Sequence, residues 1–580
     1  MALVNVAWDL VKRGKRVLLV DFDLEAPGLP SFDLFDASTA AGLVDYVTEY
    51  LTTNQAPDVQ DFVIQSGKSD RLWIMPAGRG DAGYGARLAA IDWQDLYAHR
   101  DGYLMFEDLR AQWQQAFTPD YVLIDSRTGH NDTGGICTRH LPDAMVGLFF
   151  PNLQNIEGMA AVARAVRDEE SKGGRSITTL FVPARVPDLD DDEEKLCAML
   201  RSAEEKIGYK EAATIIHQYD SLDLLEQDIF VKTRPRSRLA KEYNELSDLI
   251  ISGNIADPEG ALKYISVLRE DICSGKDGVD LDLRRLRLKE IASLQSGNAQ
   301  ILEAIADIRA TDMDYDAAAS MLTEAIELGH PSSTTLRKRT LSLWNIGRRE
   351  EGERDLLQII NMNTPEIQDL QFAVRMMAMR SPDLIRDPVM NKIRSLPVDY
   401  LPSLASSLTA NQGLLDIAQE AIEIFLRASP GEKARSGSRN ELFLILIGQK
   451  KYQEAMVELD NAPSEHRDIS WCFNRAMALW GLGGEPDQGA FLQVVSRHKP
   501  KARHDANYSL CLAIAFSVVG SKDQALQQVS SSLSAIKKMP APTFSPWRYL
   551  TVPAKDFADD CNSVRGQIES GQKLTPLLMS

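Results

Sequence analysis

The N-terminal part of the chain contains five short runs of apolar, β-branched residues, and two of these runs end on aspartate. Such unbroken runs are typical of strands buried on both faces, as in a parallel sheet covered by helices. We therefore predict an α/β fold with a mostly parallel sheet. The predicted strands are Arg16–Asp21, Leu72–Met75, Tyr121–Asp125, Ala144–Phe150 and Thr178–Val182, and the clearest helices are Ala2–Arg13, Met159–Glu170, Glu193–Ile207 and Pro235–Ile251.

The C-terminal part changes character, because helical periodicity dominates from about residue 295 and no convincing strand is found there. Turn glycines at 448, 483 and 520 are 35 and 37 residues apart. A period near 34, with small residues where two helices meet, resembles tetratricopeptide repeats. Each helix pair leaves an apolar face bare, so the pairs are expected to stack into an α-solenoid that binds a protein partner.

Length, charge and cysteine usage limit the remaining possibilities. The 580 residues predict three segments: an α/β domain over 1–251, a connector over 252–295 and a helical repeat domain over 296–580. Residues 1–250 hold 26 basic and 41 acidic residues, which argues against binding to nucleic acid. The sequence contains no run of about 20 apolar residues, so we predict no membrane-spanning helix. Six scattered cysteines without a CxxC pair suit a reducing cytosol, so we expect a cytoplasmic protein.

The two strands that end on aspartate carry the most chemical information. Arg16–Asp21 delivers Asp21 and Asp23 to its carboxyl end, and Tyr121–Asp125 delivers Asp125, followed by a Ser-Arg-Thr-Gly loop. Parallel sheets bind ligands at this edge. A carboxylate there suits a hydrated magnesium ion beside a nucleotide phosphate. We therefore predict a nucleotide and magnesium site.

These segments resemble the ParA/MinD family of P-loop ATPases with a deviant Walker A motif. The match lies in Val17–Asp21, then Asp23 and Pro27, and in the preceding helix. The resemblance implies ATP and Mg²⁺ as ligands and a nucleotide-dependent homodimer. It implies that Asp23 orients the attacking water and that Asp125 acts on the metal as the Walker B carboxylate. The further nucleotide contacts it implies are Asp21, Pro27, Arg127, Gly129, Pro151, Asn152 and Arg185.

The chain departs from the family pattern in two respects. The Gly-rich phosphate loop and the strand before it are absent, and Met1 falls just after the position of the loop. In the family this strand lies inside the sheet, so we expect two inner strand edges to be left unpaired without it. We expect a truncated sequence; the alternative is a protein that has lost nucleotide binding. Ala184 stands where relatives often have the Asn that reads adenine, and alanine cannot do this.

The sequence favours an ATP-dependent molecular switch coupled to a protein-binding repeat solenoid. The alternative is a non-hydrolysing scaffold with a degenerate NTPase domain, which functions through its repeats. A DNA-partitioning ATPase would need a basic surface. A membrane-cycling ATPase would need a terminal amphipathic basic helix, and the C-terminus is too short and weakly charged for that.

Weaker candidates have simpler structural explanations. The Gly-rich segment 78–85 predicts a flexible loop, with Arg79 or Arg87 as a possible phosphate contact. The acidic segment 188–194 is expected to be a solvated turn that stabilises the start of helix 193–207 through the helix dipole. The basic segment 232–241 is expected to be solvated or to contact a domain. His130 and His140, which flank Asp132 and Cys137, do not have the spacing of a zinc site.

Overall fold

The computed structural model divides the chain into two compact units, Met1–Gln295 and Ser296–Ser580. Each unit has a hydrophobic core of its own. Residues 252–295, for which the sequence suggests a connector, fall within the first unit. The described residues are 1–35, 39–126, 135–171, 177–188, 193–219, 228–274, 281–329, 331–428, 431–461, 467–498 and 505–579.

Four strands of the first unit form one sheet. They are β1 (Val17–Asp21), β2 (Ile64–Gln65), β3 (Leu72–Met75) and β4 (Tyr121–Asp125). Their order is β2-β3-β1-β4. β1 is parallel to both β3 and β4, whereas β2 is antiparallel to β3. All five residues of β1 are buried, as expected for the central strand of a sheet covered on both faces.

Three further strands form a second, wholly parallel sheet. They are β5 (Ala144–Phe149), β6 (Thr178–Val186) and β7 (Ile216–His217), paired in that order. The described strands of the first unit therefore form two sheets, in which β4 and β5 are terminal strands. Apolar side chains of both sheets meet in one core cluster, which includes Val17 and Tyr121 from the first sheet and Val182 from the second.

Helices cover both faces of the first sheet. The helices of the first unit are α1 (Ala2–Lys12), α2 (Leu43–Thr53), α3 (Tyr84–Ala89), α4 (Trp93–His99), α5 (Gly102–Phe117), α6 (Leu153–Ser171), α7 (Glu193–Ala203), α8 (Phe230–Thr233), α9 (Arg238–Gly253), α10 (Pro258–Ser274) and α11 (Leu281–Leu294). Val17 and Leu19 of β1 pack in the cluster with α1 and α9. Leu18 and Val20 pack in the cluster with α2 and α5. Successive residues of a strand point to opposite faces, so both faces of β1 are buried.

The α/β prediction is confirmed, with small differences at element ends. The strand predicted to end at Val182 continues to Val186, and the helix predicted from Pro235 begins at Arg238. The helix predicted over Glu193–Ile207 stops at Ala203 and continues as a π-helical turn. The two-residue strands β2 and β7 were not predicted, because two residues carry no readable periodicity.

The second unit consists mainly of helices, as predicted. They are α12 (Ala299–Thr311), α13 (Tyr315–Glu327), α14 (Ser333–Asn345), α15 (Arg349–Asn361), α16 (Ile367–Arg380), α17 (Pro382–Ser395), α18 (Leu401–Leu408), α19 (Leu415–Arg427), α20 (Glu432–Gly448), α21 (Tyr452–Asp460), α22 (Ile469–Gly483), α23 (Gln488–Arg497), α24 (Ala506–Val518), α25 (Lys522–Lys538) and α26 (Ala554–Glu569). Most helices that are consecutive in sequence pack against each other, whereas α17 and α18 each pack against α16 and α19.

The repeating glycines lie where helices end. Gly520 follows α24 and adopts a φ of +83°, a left-handed conformation that glycine tolerates best. Gly448 and Gly483 are instead the last residues of α20 and α22. The left-handed positions after these two helices are held by Lys450 and Gly484. The identification of these pairs as tetratricopeptide-like repeats stays a prediction.

The expectation of no strand after residue 295 is wrong. Two short antiparallel strands, β8 (Thr543–Ser545) and β9 (Leu550–Val552), form a hairpin near the C-terminus. Tertiary contacts hold it. Trp547 in its turn is fully buried, and the Tyr549 hydroxyl donates to Asn474 Oδ1 at 2.8 Å. Because these contacts are distant in sequence, the local pattern does not reveal the hairpin.

None of the helices in the described part of the chain is long and apolar enough to cross a lipid bilayer. The cysteines are free thiols: Cys137, Cys197, Cys273, Cys472, Cys511 and Cys561.

Candidate functional site

Three carboxylates meet at the carboxyl edge of the first sheet. Asp21 ends β1 and stands directly opposite Asp125, the last residue of β4. The backbone N–H of Phe22 donates to the carbonyl of Asp125 at 2.9 Å, which keeps the two chains paired beyond the sheet. Asp23 follows two residues after Asp21, and its charge acts on both of the other carboxylates. The two strand ends therefore converge as the sequence predicts.

Asp21 is the most buried member of this carboxylate cluster. Its Oδ2 accepts a hydrogen bond from the backbone N–H of Leu29 at 3.3 Å. Its Oδ1 and the Oδ1 of Asp23 are buried without a hydrogen-bond partner among the described residues. Burial is the main reason that the pKa of Asp21 is raised to about 7, and the charges of Asp125 and Asp23 raise it further. Burial also raises the pKa of Asp125, against the opposing effect of the Met1 amino group.

Among the described residues, no lysine or arginine forms an ion pair with Asp21, Asp23 or Asp125. Carboxylate oxygens without donors are costly in a desolvated site, and a cation would offset that cost. In the described part of the chain, no three His, Cys, Asp or Glu side chains form a complete metal cage. Mg²⁺ commonly takes only one or two protein carboxylates and fills its other positions with water and phosphate. The carboxylate cluster therefore fits a partly hydrated ion of this type.

The Tyr84 side chain lies beside the carboxylate cluster. The sequence did not predict Tyr84 as a site residue. Its hydroxyl donates to the carbonyl of Leu24 at 2.7 Å. Burial raises the pKa of Tyr84 to about 12, with further contributions from the charges of Asp21, Asp45 and Asp23. The only sequence signal was its position inside a Gly-rich segment, which suggested a loop near the nucleotide without selecting this side chain.

The Gly-rich segment 78–85 is held by Asp45 of α2. The backbone N–H of Arg79 donates to Asp45 Oδ2 at 2.8 Å. The Arg87 guanidinium pairs with Asp45 at 3.1 Å and with Asp81 at 2.9 Å. A Cβ at Gly78 would lie 2.9 Å from the Tyr84 ring, so this glycine permits close packing. Arg87, considered as a phosphate contact, is thus already paired with carboxylates.

The remaining predicted site residues do not all lie at the carboxylate cluster. Pro27 is exposed on the turn after β1, and Pro151 is buried at the end of β5. Asn152 is half-buried, and its Oδ1 accepts from the N–H of Asn155 at 2.8 Å, which caps the start of α6. Arg127 and Gly129 lie outside the described residues.

Arg185 lies at an irregularity of the second sheet. The pairing of β6 with β7 shifts register between Ala184 and Val186, and Arg185 between them has a φ of +55°. A positive φ is rare for a side chain of this size, and such strained positions cluster at functional sites. The Arg185 side chain is exposed and makes no ion pair within the described residues.

Arg185 lines a cavity of about 320 Å³ at the carboxyl ends of β5, β6 and β7. Met1 and Ala2, at the start of α1, line the same cavity. The charge of Asp125 also acts on the Met1 amino group. The start of α1 therefore lies between the cavity and the carboxylate cluster. The first backbone N–H groups of a helix attract anions.

A polar network around the buried Glu242 borders this cavity. The backbone N–H of His217 donates to Glu242 Oε2 at 2.9 Å, and His217 Nδ1 lies 2.7 Å from Glu242 Oε1. Arg238 pairs with Glu242 at 3.3 Å and with Asp188 at 2.9 Å. These pairs connect the ends of the basic and acidic segments to each other, in agreement with a structural role for both.

His140 also has structural partners. Its Nδ1 lies 2.9 Å from the Tyr97 hydroxyl and its Nε2 lies 3.2 Å from Glu107. Its ring stacks on Tyr103 with centroids 4.0 Å apart. His130 and Asp132, the other members of the group considered for zinc, lie outside the described residues.

The comparisons with known proteins give little information on identity. No protein-family model matches the chain, and no curated protein matches it. Among solved structures, a complex of Cyanothece McdA with ATP is similar at 14% sequence identity and a TM-score of 0.34. The match covers 43% of this chain and 90% of that chain, and it is a distant likeness only.

Proposed function

We propose that the chain is an ATP-dependent molecular switch, in which a ParA/MinD-like ATPase domain is coupled to a helical unit that binds a protein partner. The carboxylate cluster of Asp21, Asp23 and Asp125 supports this proposal most directly. Two of its buried oxygens lack donors among the described residues, as expected at a site that binds a cation. The ParA/MinD resemblance of the same segments supports ATP and Mg²⁺ as the ligands.

The proposed roles follow from the position of each carboxylate. Asp125 is partly exposed at the end of β4 and would hold a water of the magnesium shell. Asp23 is half-buried on the turn after β1 and would accept a hydrogen bond from the attacking water, orienting it. The magnesium ion, when bound, would neutralise charge that develops on the phosphates. Asp21 would hold the turn through its bond to Leu29.

The proposed nucleotide contacts surround these carboxylates. The start of α1 offers backbone N–H donors, and Arg185 offers beside the cavity a guanidinium that forms no ion pair within the described residues. Pro27, Pro151 and Asn152 lie on turns that follow β1 and β5. For Arg127 and Gly129 we propose the nucleotide contacts that the ParA/MinD resemblance implies.

The switch would act through a shift of conformational population. ATP would favour a closed, face-to-face homodimer that presents two helical units to their protein partner, and hydrolysis would reopen it. The alternative is a scaffold that binds its partner without nucleotide.

Binding of a fluorescent ATP analogue to the full chain, in Mg²⁺ and in EDTA, tests the proposal. We expect Asp125→Ala to weaken binding about tenfold in Mg²⁺ and to leave binding in EDTA unchanged, because the water of the magnesium shell loses the carboxylate that holds it. We expect Asp23→Ala to keep binding and to lower ATP turnover about 100-fold or more. Asp70→Ala, at an exposed position, is the matched control.

Two results would count against the switch. Absence of nucleotide binding by the unaltered chain would leave the scaffold as the better account. Loss of ATP binding in Asp23→Ala would contradict the role given to that carboxylate.

A further inference from the structure

Helix α11 is apolar on two different faces. Leu288 and Ile291 are completely buried. Leu283, Leu286 and Leu294 are 60%, 65% and 52% exposed. At about 100° per residue, the mean direction of these three leucines lies roughly 120° around the helix from the mean direction of Leu288 and Ile291. We call the surface formed by Leu283, Leu286 and Leu294, with Arg287 and Glu290 among them, the outer face of α11.

We expect the outer face of α11 to be covered by a binding partner. A single exposed leucine is ordinary, but three on one helix face form a contiguous apolar strip. A helix that is apolar on more than one side is normally covered on each of them.

The charges on the outer face identify that partner. Arg287 Nη1 lies 2.7 Å from Glu290 Oε2, and both side chains are largely exposed. In an antiparallel pair of identical helices, residues equally far from the two-fold axis lie level with each other. If the two-fold axis crosses the helix pair midway between Leu288 and Lys289, Arg287 of one copy lies directly opposite Glu290 of the other copy. Leu283 then lies level with Leu294 of the second copy.

We propose that the outer face of α11 is a contact between two copies of this chain, packed antiparallel about that axis. Leu286 of each copy lies within about 4 Å of the axis along the helix, so both leucines are covered at its centre. The four charges alternate in sign around the axis, and each arginine gains a second carboxylate. The outer face thus matches itself in its apolar pattern and in its charge.

Other occupants fit this face less well. An anionic membrane requires a marked excess of basic residues beside the leucines. The accessible side chains around them are Arg285, Arg287 and Lys289 against Asp282 and Glu290, a net charge of only +1. The whole chain has a formal net charge of −19, which further opposes such a surface. A contact between two helices of 14 residues is at the small end for stable dimers, so we expect a micromolar dissociation constant.

This contact is separate from the nucleotide-dependent homodimer and does not rest on ATP binding. Sedimentation velocity of the full chain without nucleotide, from well below to well above micromolar concentration, tests it. We expect a reversible monomer–dimer equilibrium. Leu286→Glu should raise the dissociation constant at least about tenfold, because it places a charge in the apolar strip on both copies.

A charge exchange gives the sharpest test. Arg287→Glu and Glu290→Arg, each alone, should weaken the dimer about threefold to tenfold, because each puts like charges level with each other twice across the axis. The double variant should restore the affinity of the unaltered chain. Leu492→Glu, at a leucine of α23 that is 58% exposed, is the control and should leave the equilibrium unchanged.

Three outcomes would overturn the proposal. The unaltered chain could stay monomeric at all concentrations, or Leu286→Glu could leave dimerisation unchanged while circular dichroism shows the same helix content. Binding of the monomer to anionic vesicles, abolished by Leu286→Glu, would instead assign the outer face to a membrane. Since all measurements omit nucleotide, failure of the proposed ATPase leaves them unaffected.

Discussion

Asp21 shows how one residue can oppose stability and still be useful. It is fully buried at the end of the central strand, beside two further carboxylates. A structural role alone would be served by a neutral side chain that accepts the N–H of Leu29. Retaining a carboxylate at this position instead creates a negative potential at the edge of the sheet, where a cation would bind.

The raised pKa of Asp21 predicts that the first unit becomes less stable as pH rises. With a pKa near 7 in the folded state and 3.8 unfolded, Asp21 keeps its proton longer when folded. The unfolded chain therefore loses its proton first, and the free energy of unfolding falls between pH 4 and pH 7, by roughly 4 kcal/mol in total. Asp21→Asn should remove this part of the pH dependence.

Thermal unfolding at pH 5 and pH 8 measures this effect. Asp21→Asn should raise the midpoint at pH 8 and raise it roughly 40% as much at pH 5, because pH 5 already lies above the unfolded pKa of 3.8. Asparagine can still accept the Leu29 hydrogen bond at both pH values. Asp70→Asn is exposed and should change neither midpoint. An equal change at both pH values would show that the charge of Asp21 does not cause the effect.

At the scale of elements, the strands that could be predicted are those with complete apolar runs. β1, β3 and β4 begin and end within a residue of the prediction, because burial on both faces requires a continuous apolar sequence. The hairpin of β8 and β9 could not be predicted. Its stability depends on Asp560 of α26, which accepts from Ser545 at 2.7 Å and pairs with Arg548 at 2.8 Å.

In the candidate site, the residues at the ends of apolar strands could be predicted, and the others could not. Asp21 and Asp125 end apolar strands, and parallel strands bring their carboxyl ends together. Tyr84, at the start of α3, lies beside the cluster, and Asp45 of α2 holds the Gly-rich segment before it, so their contribution depends on tertiary packing. The left-handed conformation of Arg185 depends on a register shift between β6 and β7, which no local pattern encodes.

The hairpin yields a prediction at this scale. Asp560 is 1% exposed, and its replacement by alanine would leave the Ser545 hydroxyl and the Arg548 guanidinium without their carboxylate. We expect Asp560→Ala to lower the free energy of unfolding of the second unit by about 3 kcal/mol. Urea unfolding measures this change. Asp559→Ala, at the exposed neighbouring position on α26, should cost less than about 0.5 kcal/mol. Equal effects of the two variants would show that the buried network does not hold the hairpin.

At the scale of the whole molecule, the two units have separate cores. The main cluster of the second unit runs from Leu336 to Leu578, and the clusters around β1 lie entirely within the first unit. A switch must nevertheless connect the two functions. Coupling can arise within one chain, or it can arise because nucleotide changes how many helical units are brought together.

Calorimetry of the full chain distinguishes these possibilities. Separate cores predict two unfolding transitions, of which Asp560→Ala should lower only the one that belongs to the second unit. Mg²⁺ and ATP at about 100 times the dissociation constant should stabilise the first unit by about 2.7 kcal/mol. If only its transition moves, the units are thermodynamically independent and regulation must act through dimer formation. A single transition that moves as a whole would contradict independence, and it would place the coupling within each chain.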